Sequence, residues 1–477
     1  MTLVYVRIIG TRDDLPYFQT RRYLARTSHP GAFLHLNAHC SHLSPIPAAE
    51  YLTRQTHLAE TLHAVNASAY IAEPGSNAFY FGNLSTSTWH PSERPLLLVV
   101  TPRVKYTGGN LAIQPVVTIL TPRFEARRAN LLHVPVSPSS DIRFIEWAEH
   151  ENPYTVLKQS LNLSHSNIIA DEYMRYFVAR GLSSAGFNIV SAPAHTQPIL
   201  ALRERKSSAE LALLTCANEV TLLALRAVQQ RMSIGMRESD AHELILSALT
   251  AAGLSDVSAL VLFGENAALP HGSGTDRVLG VHEMALFDIG GKLHGYTSDL
   301  TRTIALPGSQ IPPSHLALWY TVQRAQIAAH TVAREGVLTR SVDAVARAVI
   351  EDSGNGKFFT HRLGHGIGLD GHESPYLRGG IDNDAVIAIN NTFSNEPGIY
   401  REGEVGIRLE DCFAVLLDGS DGDDDDDDDK DDGDPSTSPL RLSTSTLPWP
   451  ISSVPSQGRA RLLTRGVGGF ARSPWLP

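Results

Sequence analysis

The chain has 477 residues, 42% of them hydrophobic and 19% charged, the balance of a globular protein with room for two or three domains at roughly 150 residues each. Its formal charge of −10 is local: twelve Asp and one Lys between Asp418 and Asp434 account for it and leave the rest near +1, which excludes a basic surface for nucleic acid. The three cysteines, Cys40, Cys216 and Cys412, are too scattered for a disulfide framework or a cysteine-based zinc site, and no run of about 18 apolar residues marks a membrane span.

Residues 1–45 mix Pro, His and Ser without a period and read as an irregular lead, lacking the basic start and apolar stretch of a signal peptide. From Pro47 to Val65 the spacing of Ala48, Leu52, Leu58, Leu62 and Val65 predicts an amphipathic helix. The strand-like segments AYIAEPG and LLLVV (Leu96–Val100) follow, and helix–strand alternation continues to about 190, as in an α/β domain. LLVVTPR (Leu97–Arg103) and VVTILTPR (Val116–Arg123) look alike, so the stretch at 104–120 reads as a local insertion. Residues 200–253 predict two helices broken by SIGMRESD, the second capped by Ser239 or Asp240 and ended by Gly253. Strands and Gly-rich connectors, with helices at about 312–335 and 340–352, run on to Leu417. The acidic run and the Ser/Thr/Pro-rich sequence after it cannot bury a core and are expected to be disordered. Four triplets match the N-glycosylation acceptor pattern: Asn66-Ala67-Ser68, Asn83-Leu84-Ser85, Asn162-Leu163-Ser164 and Asn390-Asn391-Thr392. The lead points to a cytoplasmic protein, and the triplets to a secreted one if a signal lies upstream.

No GxSxG elbow, HExxH or phosphate-binding loop is present, and His242-Glu243, His282-Glu283 and His372-Glu373 all lack the second His of a zincin. Chemistry concentrates in four other blocks. In ALFDIGGKLHGYTSDLTRT an apolar strand leads to Asp288, Gly290-Gly291 reads as a turn, and a second segment carries Asp299; a carboxylate on a buried strand needs a partner or a metal. FFTHRLGHGIGLDGHESP sets His361, His365 and His372 among glycines that admit close backbone approach. NTFSNEPGIY carries Glu396 before a Pro-Gly turn, and EVGIRLEDCFAV reads as one strand with Arg408, Glu410 and Cys412 on a shared face, the first two able to form an ion pair. Four carboxylates held together require cations, since each like-charge pair repels by about 4 kcal/mol at ~4 Å and an effective dielectric of 20. Carboxylate-rich ligation with one imidazole suits Mn²⁺, with Co²⁺ or Zn²⁺ as alternatives. A metal pair generates a bridging hydroxide and clamps a substrate carbonyl.

These strings, FDIGG…GYTSDLTRT, HRLGHGIGLDGHE, NEPGIY and GIRLED, resemble in order and spacing the metal-site blocks of the M24 metallopeptidases, which include aminopeptidase P, prolidase, methionine aminopeptidase and creatinase. PHGSGTDRVL, with His271, is similar to the substrate-histidine block before them. The resemblance covers residues 195–417 strongly and 45–190 more weakly. It implies an α/β (α+β) protein: an irregular lead over 1–45, a creatinase-like N-terminal domain over 46–192, a pita-bread domain over 193–417, a disordered insertion over 418–457, and a C-terminal strand and tail over 458–477, the displaced last strand being RARLLTRGV (Arg459–Val467). It further implies that Asp288 binds one metal, His365 and Glu396 the other, and Asp299 and Glu410 both. Glu396 would relay a proton, His271 and His372 would touch the scissile carbonyl, and His361 and Arg408 the proline side of the substrate. A homodimer, a proline-containing peptide substrate and cleavage of an Xaa-Pro bond are expected, and neither a membrane nor a nucleic acid as partner. The choice between dipeptides and longer peptides stays open. The alternative is an inactive M24-like module that binds histones or other proteins through its acidic tract.

Overall fold

A computed structural model describes residues 31–107, 110–138, 142–161, 163, 165–190, 198–417 and 458–477. The lead up to residue 30 and the acidic and Ser/Pro-rich segment at 418–457 lie outside the described residues.

The N-terminal domain is built on a six-stranded sheet in the order β4-β3-β2-β1-β5-β6. Its strands are β1 (Ala69–Ala72), β2 (Leu97–Thr107), β3 (Asn110–Pro122), β4 (Arg143–Trp147), β5 (Asn167–Ala170) and β6 (Asn188–Ile189). The run Leu97–Val100 is apolar throughout because both faces of β2 are covered. Leu98 and Val100 pack with Leu58 and Leu62 of the helix Ala48–Ala64, while Leu97 and Val99 pack with Leu157, Val178 and Leu182 of two helices on the other side. The two similar segments are the facing arms of one hairpin, with Thr101 opposite Val116 and Pro102 opposite Pro115. The stretch at 104–120 therefore extends the ladder rather than interrupting it, and carries Tyr106 and Leu111 out to solvent.

The second half has three sheets. A meander joins β7 (Ser255–Phe263), β8 (Ala285–Leu293) and β9 (Tyr296–Ile304). A five-stranded sheet runs β11-β10-β12-β15-β16, with β10 (Gly364–Gly366), β11 (Glu373–Leu377), β12 (Thr392–Asn395), β15 (Asp411–Leu417) and β16 (Gly458–Leu462). The short hairpin of β13 (Gly398–Arg401) and β14 (Val405–Arg408) completes the set. Helices Ser208–Gln229 and Glu238–Ala251 pack on the meander, and Pro313–Val332 and Thr339–Asp352 on the five-stranded sheet. RARLLTRGV does supply the last strand, β16, which pairs with β15. Gly253 ends its helix at φ 91°, but Ser239 bonds Asp276 instead of capping, and Asp240 reaches back to the Arg237 amide. Ser208–Gln229 is long and apolar enough to cross a membrane by composition, yet 67% of its most apolar window is buried inside this fold.

Two sequence expectations are corrected here. From residue 31 onward the lead is packed, with Phe33, Leu36 and Cys40 in the core, because these apolar side chains are spaced by a single 3-10 turn, Leu34–Ala38. Cys40 and Cys216, 176 residues apart in sequence, are joined by a disulfide at a Cα separation of 5.8 Å; separation in sequence hid proximity in space.

The meander and the five-stranded sheet are locked by Arg302 of β9 and Asp411 of β15, both fully buried, 2.7 Å apart. Arg302 also donates to the Glu410 carbonyl, and Asp411 accepts from Gln326 and Thr464. Because a buried charge stripped of its partner is costly, Arg302→Met is expected to lose ~3–5 kcal/mol of stability in chemical denaturation, much of it recovered in the Arg302→Met/Asp411→Leu double variant. A single variant as stable as wild type would contradict this role for the pair.

Candidate metal centre

The centre is assembled from strand register. β8 and β9 form a hairpin whose two-residue turn is His294-Gly295, both left-handed at φ 50° and 93°. Register pairs Asp288 with Thr301 and Gly290 with Asp299, which puts Asp288, Asp299 and Thr301 on one face of the hairpin. Gly290-Gly291 is thus not the turn expected from sequence; it lies within β8, where a Cβ on Gly290 would stand 2.1 Å from the Ser298 carbonyl oxygen. Close strand contact, not chain reversal, demands that glycine.

His365 sits at the middle of β10, 1% exposed. Gly364 beside it has no room for a side chain, since a Cβ would meet the Ser394 carbonyl oxygen at 2.1 Å. Nδ1 of His365 lies 3.1 Å from the Gly366 carbonyl oxygen, a partner only an N–H can satisfy, so the proton is assigned to Nδ1 and Nε2 presents a lone pair. That Nε2 is 3.5 Å from Glu396 Oε1 and 3.7 Å from Asp299 Oδ2. Glu396 follows β12, its amide held by the Leu363 carbonyl. Glu410 lies between β14 and β15, 2% exposed, with its Oε2 accepting from the Thr301 hydroxyl at 2.7 Å.

The ligand atoms fall into overlapping triads, each within 4.8 Å: Asp288, Asp299 and Glu410; His365, Glu396 and Glu410; Asp299, His365 and His372. Glu410 is shared by the first two and Asp299 by the first and third. All five residues expected as ligands are brought together. His372 is exposed, with its ring centroid 4.1 Å from that of His365; His271 is exposed as well and lies near enough to His372 to lower its basicity.

Charge is the dominant property of the site. Burial, then Glu410, Asp288 and Glu396, push the Asp299 carboxyl well above its ordinary range. Burial and then Glu410 do the same to Glu396. Burial and then Asp288 raise Glu410 to about 7. The imidazoles go the other way: burial lowers His365 to about 3 and His361 to about 4, and burial followed by Arg362 lowers His372. A site of crowded carboxylates and a neutral imidazole with a free lone pair fits divalent cations bound through oxygen and nitrogen.

EVGIRLEDCFAV is two strands in two sheets rather than one, turning at Leu409-Glu410. Arg408, 3% exposed, pairs with Asp288 at 2.6 Å instead of Glu410. Its guanidinium also donates to Thr301 and to Tyr400 Oη at 3.0 Å. Tyr400 in turn is 2.8 Å from His361 Nε2, and His361 Nδ1 is 2.7 Å from the Arg362 carbonyl. Thr301 and Tyr400 were missed from sequence although both stand inside the blocks read for their carboxylates; a hydroxyl gives no pattern signal until its acceptor is located. Arg362 was missed too. Half-buried, it stacks on Tyr376 with its guanidinium carbon 4.6 Å from the ring centre, and among the described residues its guanidinium has no acidic partner.

The model of metallopeptidase family M24 matches residues 212–416. An uncharacterized peptidase of Schizosaccharomyces pombe is 37% identical over 370 residues, covering 77% of this chain and 79% of the relative. Among solved structures, dipeptidase PepE of Mycobacterium ulcerans is 30% identical with a TM-score of 0.67, covering 78% of this chain and 95% of that one. A prolidase of Thermococcus sibiricus is 26% identical with a TM-score of 0.64, covering 77% and 95%.

The raised carboxyl pKa values predict how the metal-free protein responds to pH. Groups more basic in the folded state than in the unfolded chain bind extra protons when folded, so stability falls as pH rises. Below about pH 6.5 the imidazoles lowered by burial act the other way, so in chelator the melting temperature is expected to drop from about pH 7 to about 8, as Glu410 titrates near 7. Excess Mn²⁺ should flatten that dependence. A chelated protein whose melting temperature is level or rises over this range would contradict the electrostatic picture.

Proposed function

The chain belongs to metallopeptidase family M24, and from that premise we propose that it is a two-metal hydrolase that cleaves the bond between a residue and a following proline, with dipeptides as its substrates. It is a peptidase, and divalent metal comes with the family. The observation that carries the finer reading is the pair of donor triads sharing Glu410. In this reading Asp288, Asp299 and Glu410 would hold one ion, and His365, Glu396, Asp299 and Glu410 the other, with Mn²⁺ suited to so many carboxylates. When bound, such ions supply a nucleophile at neutral pH and polarise the scissile carbonyl.

The chain's own residues supply the rest. Glu396, held basic by burial and its neighbours, takes the proton of the attacking water and passes it to the leaving proline nitrogen. His372 and His271 stand on the open side of the ligands and donate to the carbonyl oxygen as charge develops there. Arg408, spent on Asp288, Tyr400 and Thr301, holds Asp288 in place; through Tyr400 it also fixes His361, which forms a neutral wall beside the site.

Arg362 supports the restriction to dipeptides. Among the described residues it is the cation at the site not already engaged by a carboxylate, close enough to His372, His365 and Glu396 to perturb each. The substrate anion nearest the scissile bond is the C-terminal carboxylate, and only in a dipeptide does it lie one residue away. The names dipeptidase and prolidase among the relatives agree. The inactive-module alternative would require loss of ligands, whereas the full set is present.

Hydrolysis of Gly-Pro, Gly-Pro amide and a Gly-Pro tripeptide tests this, with Mn²⁺ and with chelator. Metal-dependent cleavage of the dipeptide is expected to exceed that of the amide, and His372→Ala should lower kcat by about 10²–10³-fold. Arg362→Met should raise KM for Gly-Pro by roughly 10-fold or more, with little effect on the amide, since a carboxylate–guanidinium bond is worth about 1.5–3 kcal/mol. Preference for the tripeptide would reassign the substrate length. No turnover of any of the three by folded, metal-loaded protein would overturn the peptidase reading.

A further inference from the structure

The disulfide and the acceptor triplets take no part in the chemistry above. Cys40 follows the 3-10 turn Leu34–Ala38 and is 4% exposed; Cys216 lies within the helix Ser208–Gln229 and is 5% exposed. The segment carrying Cys40 is docked by more than sulfur. His39 Nε2 is 2.8 Å from Glu219, Arg231 stacks over Phe33 and donates to the Ala32 carbonyl, and Phe33 and Leu36 are buried. The bond therefore closes between two elements already held face to face. The third cysteine, Cys412, is wholly buried, its thiol donating to the Asp299 carbonyl. The two cysteines within reach of each other are bonded, a state that persists where the surroundings are oxidising.

The acceptor asparagines sort themselves by what their carboxamides do. Asn83 is tied at both ends: Nδ2 donates to the His133 carbonyl and Oδ1 accepts from Tyr51. Asn162 lies outside the described residues. Asn390 is half-buried; the hydroxyl residues of its triplet and of the Asn66 triplet, Thr392 and Ser68, are both buried and do not separate the two. Asn66 differs. It is exposed in the left-handed turn that ends the helix Ala48–Ala64, at φ 55°, and its carboxamide makes no hydrogen bond among the described residues. A left-handed turn alone accounts for an asparagine. Asn66 also borders a cleft of about 650 Å³ with mixed walls, polar from His63, Arg103 and Arg143 and apolar from Val104, Val116 and Leu163, a surface that suits the apolar ring faces and the hydroxyls of the first sugars of a glycan.

We propose that this protein matures in an oxidising, glycosylating compartment, with Cys40 and Cys216 bonded and an N-linked glycan on Asn66. Bond formation between the two thiols releases two protons and passes two electrons to a protein disulfide of that compartment, which is reduced to its dithiol. Glycan transfer joins Asn66 Nδ2 to the anomeric carbon of a lipid-pyrophosphate-linked oligosaccharide. The sugar–phosphate bond breaks, the pyrophosphate lipid leaves with its electron pair, and the amide loses one proton. The carboxamide of Asn66, without a hydrogen bond among the described residues, and the cleft beside it keep the modified residue compatible with the fold, whereas a glycan on Asn83 would crowd the Nδ2 that bonds the His133 carbonyl.

The test uses the full chain isolated from the cells that make it. Alkylation of denatured protein without reductant is expected to label one cysteine, Cys412, and three after reduction. Peptide mass spectrometry before and after N-glycosidase should show Asn66 converted to Asp and Asn83 unmodified, and Asn66→Gln should abolish the glycosidase-sensitive mass on that peptide. Three cysteines labelled without reductant, or an Asn66 peptide that carries no glycan, would overturn the proposal. Neither readout depends on whether the peptidase reading holds.

Discussion

Four carboxylates converge in a space where burial and mutual repulsion oppose their ionisation, and the second half of the molecule is arranged around holding them there. Each like-charge pair at ~4 Å costs about 4 kcal/mol at an effective dielectric of 20, and the Arg408 guanidinium, paired with Asp288, offsets the other three only in part. Without further cations the carboxyls answer by binding protons, which is why Asp299, Glu396 and Glu410 are all driven upward. Divalent ions remove the conflict and turn an unstable cluster into a reactive one.

The frame that resists this repulsion is rigid where it needs to be. Asp288 and Asp299 are fixed by a nine-residue ladder on each side of one tight turn. Glu410 is pinned to that ladder by the Thr301 hydroxyl and by its own amide, bonded to the Thr301 carbonyl. Directly behind it the Arg302–Asp411 pair ties both sheets together. The N-terminal domain reaches the same region through Asn77, which accepts from Arg203 while Arg203 also bonds Asp370 and Glu373. Those last two flank His372, so the domain contact steadies the segment between His365 and His372. Lys206 adds a second cation on Glu373.

The five residues that the structure gathers into overlapping triads were legible in the sequence because metal sites concentrate rare residue types in short glycine-flanked strings, and their order survives in any fold. The helix over Ala48–Ala64 was legible from apolar spacing, and the last strand at Gly458–Leu462 from the family resemblance. Contacts between distant segments were not. Nothing local in Cys40 or Cys216 announces its partner, Arg408 looked closest to Glu410 in sequence yet bonds Asp288, and the stretch at 104–120 looked like an insertion because pairing partners repeat each other's β-strand composition. Gly290-Gly291 misled in another way, since glycine serves both turns and crowded strands, and only the neighbouring Ser298 carbonyl decides which.

The most direct test of the account counts metal. Protein dialysed to equilibrium against Mn²⁺ and analysed by elemental mass spectrometry should hold two ions per chain, and Glu410→Gln, which removes the carboxylate shared by both triads, should hold fewer than two. Saturation of the wild type at one ion or none would contradict the claim that the carboxylate cluster is a two-metal site.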